Sequence, residues 1–377
     1  MHAENTTMKT ESMNDAFRRG FASDNFAGVH PRVMEKLLGC NLGHARAYGE
    51  DTLTSRARAA FSRVFGREVS THFVFNGTAA NNLSLMAFAR SYGAVVCSEV
   101  AHLCNDESTA PERILGMRLL PVKSREGKIV PSALQEVLGR SHGVHATRPV
   151  ALTLTQPTEL GTVYTPEELR TLIELAHAHG LGVHLDGARI GCAVASLGIS
   201  LRQMMETGVD VLSFGGTKQG MLCGEAVVFL RPDLGGDFPF WQKHNMQLAS
   251  KMRFISAQFE ALLEGDLWIE NGRHANAMAQ ALNEAVRKLP WMEVVHPVQA
   301  NSVFARIPVR LIEPLQRESF FWPWDEPAGL MRWMCAFDTE PEDISRFVAN
   351  PGVDVRKTAL TVYHIEQQIT FLVGAAR

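Results

Sequence analysis

Lys218 stands in the run VDVLSFGGTKQG, glycine-flanked at the end of an apolar, strand-like segment. In so crowded a turn, burial or nearby positive charge can hold a lysine partly as the free amine, and a free amine adds to a carbonyl to form a Schiff base. Upstream, GLGVHLDGARI sets Asp186 and Arg189 three residues apart. A carboxylate at the carboxyl end of a strand can pair with a pyridine nitrogen and keep it protonated. An arginine beside it offers a bidentate grip on a carboxylate or a ring oxygen. Taken singly, Lys218 reads as a solvated loop lysine and Asp186 as a helix N-cap. Together they point to pyridoxal phosphate.

Three further groups bear on the same chemistry. The turn NGTAAN, Asn76 to Asn81, joins a strand to a helix start, so backbone amides at Gly77 and Thr78 with the Thr78 hydroxyl form a phosphate cradle, although an ordinary capped helix has the same residues. His102 and Asp106 in AHLCNDES are four apart and share one face of a helix. An imidazole there can stack on a cofactor ring or move a proton. The competing reading is a metal pair, and no HxH, HExxH or CxxC accompanies it. His145 in HGVHATRP reads as an exposed loop histidine by spacing alone.

The elements that must position these residues alternate through the first two thirds of the chain. THFVFNG, GAVVCSE, GMRLLPV, PVALTLTQP, GLGVHLD and VDVLSFGG are short Val- and Leu-rich runs bounded by Gly, Pro, Ser or Asn. TPEELRTLIELAHAHG is a crossover helix with Thr165 as N-cap, Pro166 in first position, Glu168 completing a capping box and Gly180 ending it. Such alternation predicts an α/β fold with a mostly parallel sheet covered on both faces. A helix is expected from Trp241 to about Leu263 and another over GRHANAMAQALNEAVRKLP, followed by short strands and a capped helix, a smaller α+β unit. The division expected is a polar N-terminal extension (1–20), a large domain (21–265), a small C-terminal domain (266–349) and an atypical tail (350–377).

Composition narrows the class. A hydrophobic content of 46% fills a substantial core, and a formal charge of −3 gives no footprint for nucleic acid or anionic lipid. The polar N-terminus has no apolar signal region and no long apolar span occurs, so a cytoplasmic protein without a membrane partner is expected. Six cysteines without CxxC spacing read as reduced thiols.

The runs ASDNFAG, GHARAYGED, FNGTAANNLSL, SEVAH, HLDGAR, SFGGTKQGMLCGEA and KMRFISAQ, in this order, resemble the low-specificity L-threonine aldolases of the β-eliminating lyase group. The resemblance spans about Phe21 to Ala349. It implies the aspartate-aminotransferase-like fold, pyridoxal 5'-phosphate as cofactor, and cleavage of L-threonine, L-allo-threonine and related β-hydroxy-α-amino acids to glycine and an aldehyde. By the same resemblance Lys218 carries the Schiff base, Asp186 holds the pyridine nitrogen, Gly77 and Thr78 form the phosphate turn and His102 stacks on the ring. Ser23, Arg189 and Arg332 are similar to the group that holds the substrate carboxylate, and His145 to a second histidine near the substrate hydroxyl. Asp106 matches an aspartate of one branch. Tyr48, and Arg253 toward a phosphate, match residues offered across a subunit boundary, which implies a homodimer or homotetramer with shared sites.

One departure is TQPTELG, Thr155 to Gly161, similar to a QATE-type variant of an ENTH-like run, in which Gln156 or Glu159 is placed to touch the cofactor. Either His102 or His145 serves as base in this reading. The same parts would also suit another β-elimination or a transamination on a small amino acid. A metal-dependent aldolase built on His102, Asp106 and His145 is a third reading.

Overall fold

Seven of the short apolar runs join in one sheet: β1 (Ser70–Val74), β2 (Gly93–Ser98), β3 (Arg118–Val122), β4 (Arg148–Thr155), β5 (Gly182–Gly187), β6 (Val211–Phe214) and β7 (Glu225–Phe229). The structure, a computed structural model, describes residues 18–140 and 143–349. The tail from residue 350 and most of the polar extension lie outside the described residues. Strand order is β1-β7-β6-β5-β4-β2-β3. Strands β3, β2, β4, β5 and β6 pair in parallel, while β7 runs antiparallel to both β6 and β1. Every strand except β7 therefore ends on the same edge. Strands β2, β6 and β7 are buried along their whole length, as expected for a sheet covered on both faces.

The helices that bear on the site are α1 (Thr52–Phe65), α2 (Gly77–Met86), α3 (His102–Asn105), α4 (Pro166–Ala178), α5 (Ile190–Leu197), α6 (Met252–Leu263), α7 (Leu267–Val286) and α8 (Pro341–Val348). Helix α4 starts as the sequence predicts: the Glu168 amide donates to the Thr165 hydroxyl, and the Glu168 carboxylate accepts from the Thr165 amide. Phe214, at the end of β6, packs edge-on against Phe61, Phe259 and Trp268, at ring separations of 5.2, 6.3 and 5.3 Å. Each such pair adds about 0.5–1.5 kcal/mol beyond its burial. The turn that follows β6 thus rests on a rigid floor. Helices α5 and α7 cross where Gly191 meets Gly272, since a Cβ on either would collide with the backbone of the other helix.

A second sheet, ordered β8-β9-β11-β10, is built from β8 (Glu293–Val294), β9 (Ser302–Arg306), β10 (Trp322–Asp325) and β11 (Leu330–Met334), all antiparallel. Its core gathers Leu282 and Val286 of α7, Phe347 of α8, Trp333 and Phe321. Phe21 is buried in that core too: its amide donates to the Phe320 carbonyl and its carbonyl accepts from the Met334 amide, both at 2.9 Å. Residues near 21, read as the start of the large domain, are thus packed into the small one.

The helix expected from Trp241 to Leu263 is broken. One helix ends at His244, Met246 takes a positive φ of 61°, and α6 starts only at Met252. Residues in and around the break have other partners. Gln247 accepts the Phe75 amide at 3.0 Å, Gln242 donates to the Phe73 carbonyl at 2.6 Å, and the Ser250 carbonyl accepts the Tyr48 amide. Satisfying the end of β1 competes with continuing the helix, and apolar periodicity does not register that contest.

Candidate active site

The shared carboxyl edge gathers the chemistry. Asp186 pairs in register with Thr155 of β4 and Ser213 of β6, one residue before β5 ends. The Gly215 amide donates to the Gly187 carbonyl at 3.0 Å, and a Cβ on Gly215 would run into the Ala188 carbonyl. Only glycine lets the two turns lie this close, which brings the turn carrying Lys218 (Thr217–Gln219) against the one carrying Asp186. Lys218 has no hydrogen bond or ion pair among the described residues, so its amine is free to react. Glu225, at the amino end of β7, closes the floor of the cavity; burial pushes its carboxyl up to about 7 despite the Gly216 amide 2.6 Å away.

A cleft opens here, with Gly77, His102, Asp186 and Lys218 in its walls. The groups present fit pyridoxal phosphate. At the start of α2, the Asn76 side chain caps the Ala79 amide and its carbonyl takes the Ala80 amide. The amides of Gly77 and Thr78 have no partner among the described residues, and a Cβ at Gly77 would meet nothing within 4 Å. Two free amides at a helix N-terminus facing open space suit a phosphate. Asp186 is 6% exposed, with Oδ1 accepting the Ala188 amide and Oδ2 the Asn81 side-chain amide, both at 3.0 Å.

Beside this cleft a more open cavity is lined by Ser23, His102, Asp106, Glu159, Arg189, Lys218, Trp324 and Arg332. The two arginines are not equivalent. Arg189 is held by Asp24 through Nε and Nη2, at 2.6 and 2.8 Å, which leaves Nη1 as its free edge. Burial works to raise the Asp24 carboxyl, but the Arg189 charge and hydrogen bond outweigh it and leave it below its ordinary value. Arg332 has no carboxylate partner among the described residues. Its guanidinium lies 5.0 Å from the Trp324 ring centre, and its buried Nε makes no hydrogen bond. Burial, then the charge of Arg189, pulls its pKa down. A half-buried arginine lacking an anion, on a cavity shared with Lys218, is built to receive one from a ligand.

Of the residues singled out in the sequence, Gly77, His102, Asp186, Arg189 and Lys218 share the first cleft, and Ser23, Asp106 and Arg332 line the second cavity. Tyr48 and Arg253 line neither. Tyr48 is half exposed beneath the Lys243 ammonium, and Arg253 donates to the Gly43 carbonyl at 3.4 Å. His145 lines neither as well: it is exposed and precedes β4, whose carboxyl end carries Thr155 at the cleft. At about 3.3 Å per residue, the strand separates His145 from the cleft of its own chain by roughly 25 Å.

Several site residues carried no decisive signal in the sequence. Of the pair Gln156 and Glu159, Gln156 is spent on the backbone of Tyr164, donating at 2.8 Å and accepting at 2.9 Å. Glu159 lines both cavities, has no partner among the described residues, and its charge raises the pKa values of His102 and Arg189. Nothing in the sequence singles out Trp324 or Asp24 as a site residue. Both acquire roles through Arg332 and Arg189.

Known proteins resemble this chain in sequence and fold. The sequence profile described as beta-eliminating lyase matches residues 20–309. The low specificity L-threonine aldolase of Pseudomonas sp. (strain NCIMB 10558) is 40% identical over 332 residues, 88% of this chain and 96% of that protein. A second protein of that name, from Pseudomonas aeruginosa, is 41% identical over 326 residues, 86% and 94% of the two chains. The solved threonine aldolase of Leishmania major superimposes with a TM-score of 0.83 at 25% identity, covering 88% of this chain and 98% of that one. The chain thus belongs to the β-eliminating lyase family, pyridoxal-phosphate-dependent enzymes of the aspartate-aminotransferase-like fold.

Proposed function

We propose that the protein cleaves L-threonine, L-allo-threonine and related β-hydroxy-α-amino acids to glycine and an aldehyde. The observation that carries this is Arg332, a half-buried arginine without a carboxylate partner among the described residues, on the rim shared by Lys218, His102, Asp106 and Glu159. Pyridoxal phosphate, when bound, supplies the electron sink that makes bonds to the substrate Cα breakable. The protein decides which bond breaks. Arg332, with the free Nη1 edge of Arg189 and the Ser23 hydroxyl, clamps the substrate carboxylate and so fixes the orientation of Cα. His102, Asp106 and Glu159 face the same cavity and are the groups that can take the β-hydroxyl proton. Lys218 would hold the cofactor and would be available to return a proton to Cα. The Gly77 and Thr78 amides would hold its phosphate.

Incubating the loaded enzyme with L-threonine tests this. Equimolar glycine and acetaldehyde are expected; 2-oxobutanoate and ammonia would instead show elimination of the hydroxyl and overturn the reading. Arg332→Ala is expected to lower kcat/KM for L-threonine by about 10- to 100-fold, chiefly through KM, since a hydrogen bond to a charged group contributes about 1.5–3 kcal/mol. Steady-state kinetics checks it, and an unchanged KM would remove Arg332 from the clamp.

Two broader points belong to the same proposal. Tyr48 and Arg253 lie at the surface away from the cleft, which supports a homodimer or homotetramer in which a neighbour completes each site. A cytoplasmic enzyme acting on a small amino acid is part of this reading, in keeping with a formal charge of −3; among the described residues no helix is long and apolar enough to cross a membrane.

A further inference from the structure

Glu107 takes no part in the account so far. Its side chain is fully buried, yet no lysine or arginine pairs with it among the described residues. Its oxygens face three N–H groups instead. Oε1 accepts Asn81 Nδ2 at 3.0 Å and lies 3.2 Å from His102 Nδ1, while Oε2 accepts Asn82 Nδ2 at 3.0 Å. The Asn81 amide also donates to Asp186, so a single NH2 group spans the two buried carboxylates.

A carboxylate buried this deeply costs several kcal/mol unless it is paired and hydrogen-bonded. If its purpose were only to join α2 to α3, a neutral amide at the same position would do so without that penalty. The one partner whose protonation answers to the negative charge is His102. That ring is one third exposed and lines both cavities, and its Nε2 has no partner among the described residues.

We infer that Glu107 is a positioning residue that keeps a proton on Nδ1 of His102, presents the Nε2 edge to the reacting groups, and shares the Asn81 amide with Asp186. A carboxylate behind an imidazole fixes both tautomer and ring orientation. The other charges acting on His102 are Glu159 and Asp186, which favour its protonated form, and Lys218, which opposes it; Asp106, Arg189 and Arg332 complete the lining of the shared cavity. Among these influences the Glu107 hydrogen bond is the largest and raises the His102 pKa, with burial working against it. The inference rests on the same site but not on which substrate bond is broken there.

The test is long-range proton–nitrogen NMR of the full-length, cofactor-loaded protein with labelled histidine, the His102 signal being assigned from its loss in His102→Gln. In the wild type the expected result is an Nδ1–H ring whose titration midpoint lies above 6.5. In Glu107→Gln the midpoint is expected to fall by roughly one unit or more, the usual effect of losing an opposite charge, while pyridoxal phosphate still binds. An Nε2–H tautomer in the wild type would overturn the inference whether or not the variant folds. So would an unchanged midpoint in a folded Glu107→Gln. Failure to form glycine from L-threonine would undo the proposed reaction and leave this result standing.

Discussion

Lys218→Ala is expected to lose turnover of L-threonine by roughly 10⁴-fold, the upper end of what one positioned proton-transferring group supplies. The amine has two tasks at once: it anchors the cofactor carbonyl and stands ready to move a proton at Cα. No substitute is at hand. The surrounding turn leaves Lys218 without a partner among the described residues, and Lys243, placed over Tyr48, does not line the cleft. The visible absorbance of the lysine-bound cofactor is expected to disappear with activity, while the Gly77 and Thr78 amides keep measurable affinity for pyridoxal phosphate. Kinetics and an absorbance titration on one preparation check both. Normal cleavage by Lys218→Ala would end the mechanism.

Asp186→Asn is expected to have the next largest effect, about 10- to 100-fold in kcat, from loss of a charge-assisted hydrogen bond contributing about 1.5–3 kcal/mol. The geometry explains why so small a change matters. Oδ1 is committed to the Ala188 amide and Oδ2 already accepts from Asn81, so an amide in place of Oδ2 would point its hydrogens at another donor. The variant therefore loses the negative charge at the pyridine nitrogen and gains a donor conflict in a buried position. Because the phosphate cradle at α2 is untouched, cofactor binding is expected to weaken but persist. Stopped-flow kinetics with an equilibrium titration checks this, and unchanged rates would contradict the role given to Asp186.

Much of this architecture could be read in the chain. The parallel sheet follows from β-type runs separated by helices, α4 above all, whose capping box marks its start in the residues themselves. Gly77, Asp186 and Lys218 stand out because each lies at or just beyond the carboxyl end of a strand, where open α/β sheets bind ligands. His145 could not be judged in the same way. A histidine before a strand and one after it look alike in a list of residues, and only the direction of β4 puts His145 on the far edge.

Glu107 and Asn81 illustrate a different limit. Asn81 closes the NGTAAN turn and Glu107 follows Asp106, but nothing in either run marks the two as partners; their importance comes from burial and from contact between α2 and the segment after α3. Arg189 and Arg332 also look interchangeable as sequence. Asp24, distant along the chain, neutralises one and leaves the other open. The expected continuous helix from Trp241 failed for a related reason: its periodicity was intact, but Gln242, Gln247 and Ser250 serve the backbone of β1 and of the Tyr48 turn.

Borohydride reduction of the purified, cofactor-loaded protein, followed by peptide mapping, tests the central claim most directly, because reduction fixes the cofactor on whichever amine holds it. The pyridoxyl group is expected on Lys218, with labelling suppressed when glycine, the proposed product, is present before reduction. A pyridoxyl group on another lysine, or on none, would contradict the assignment on which the site is built.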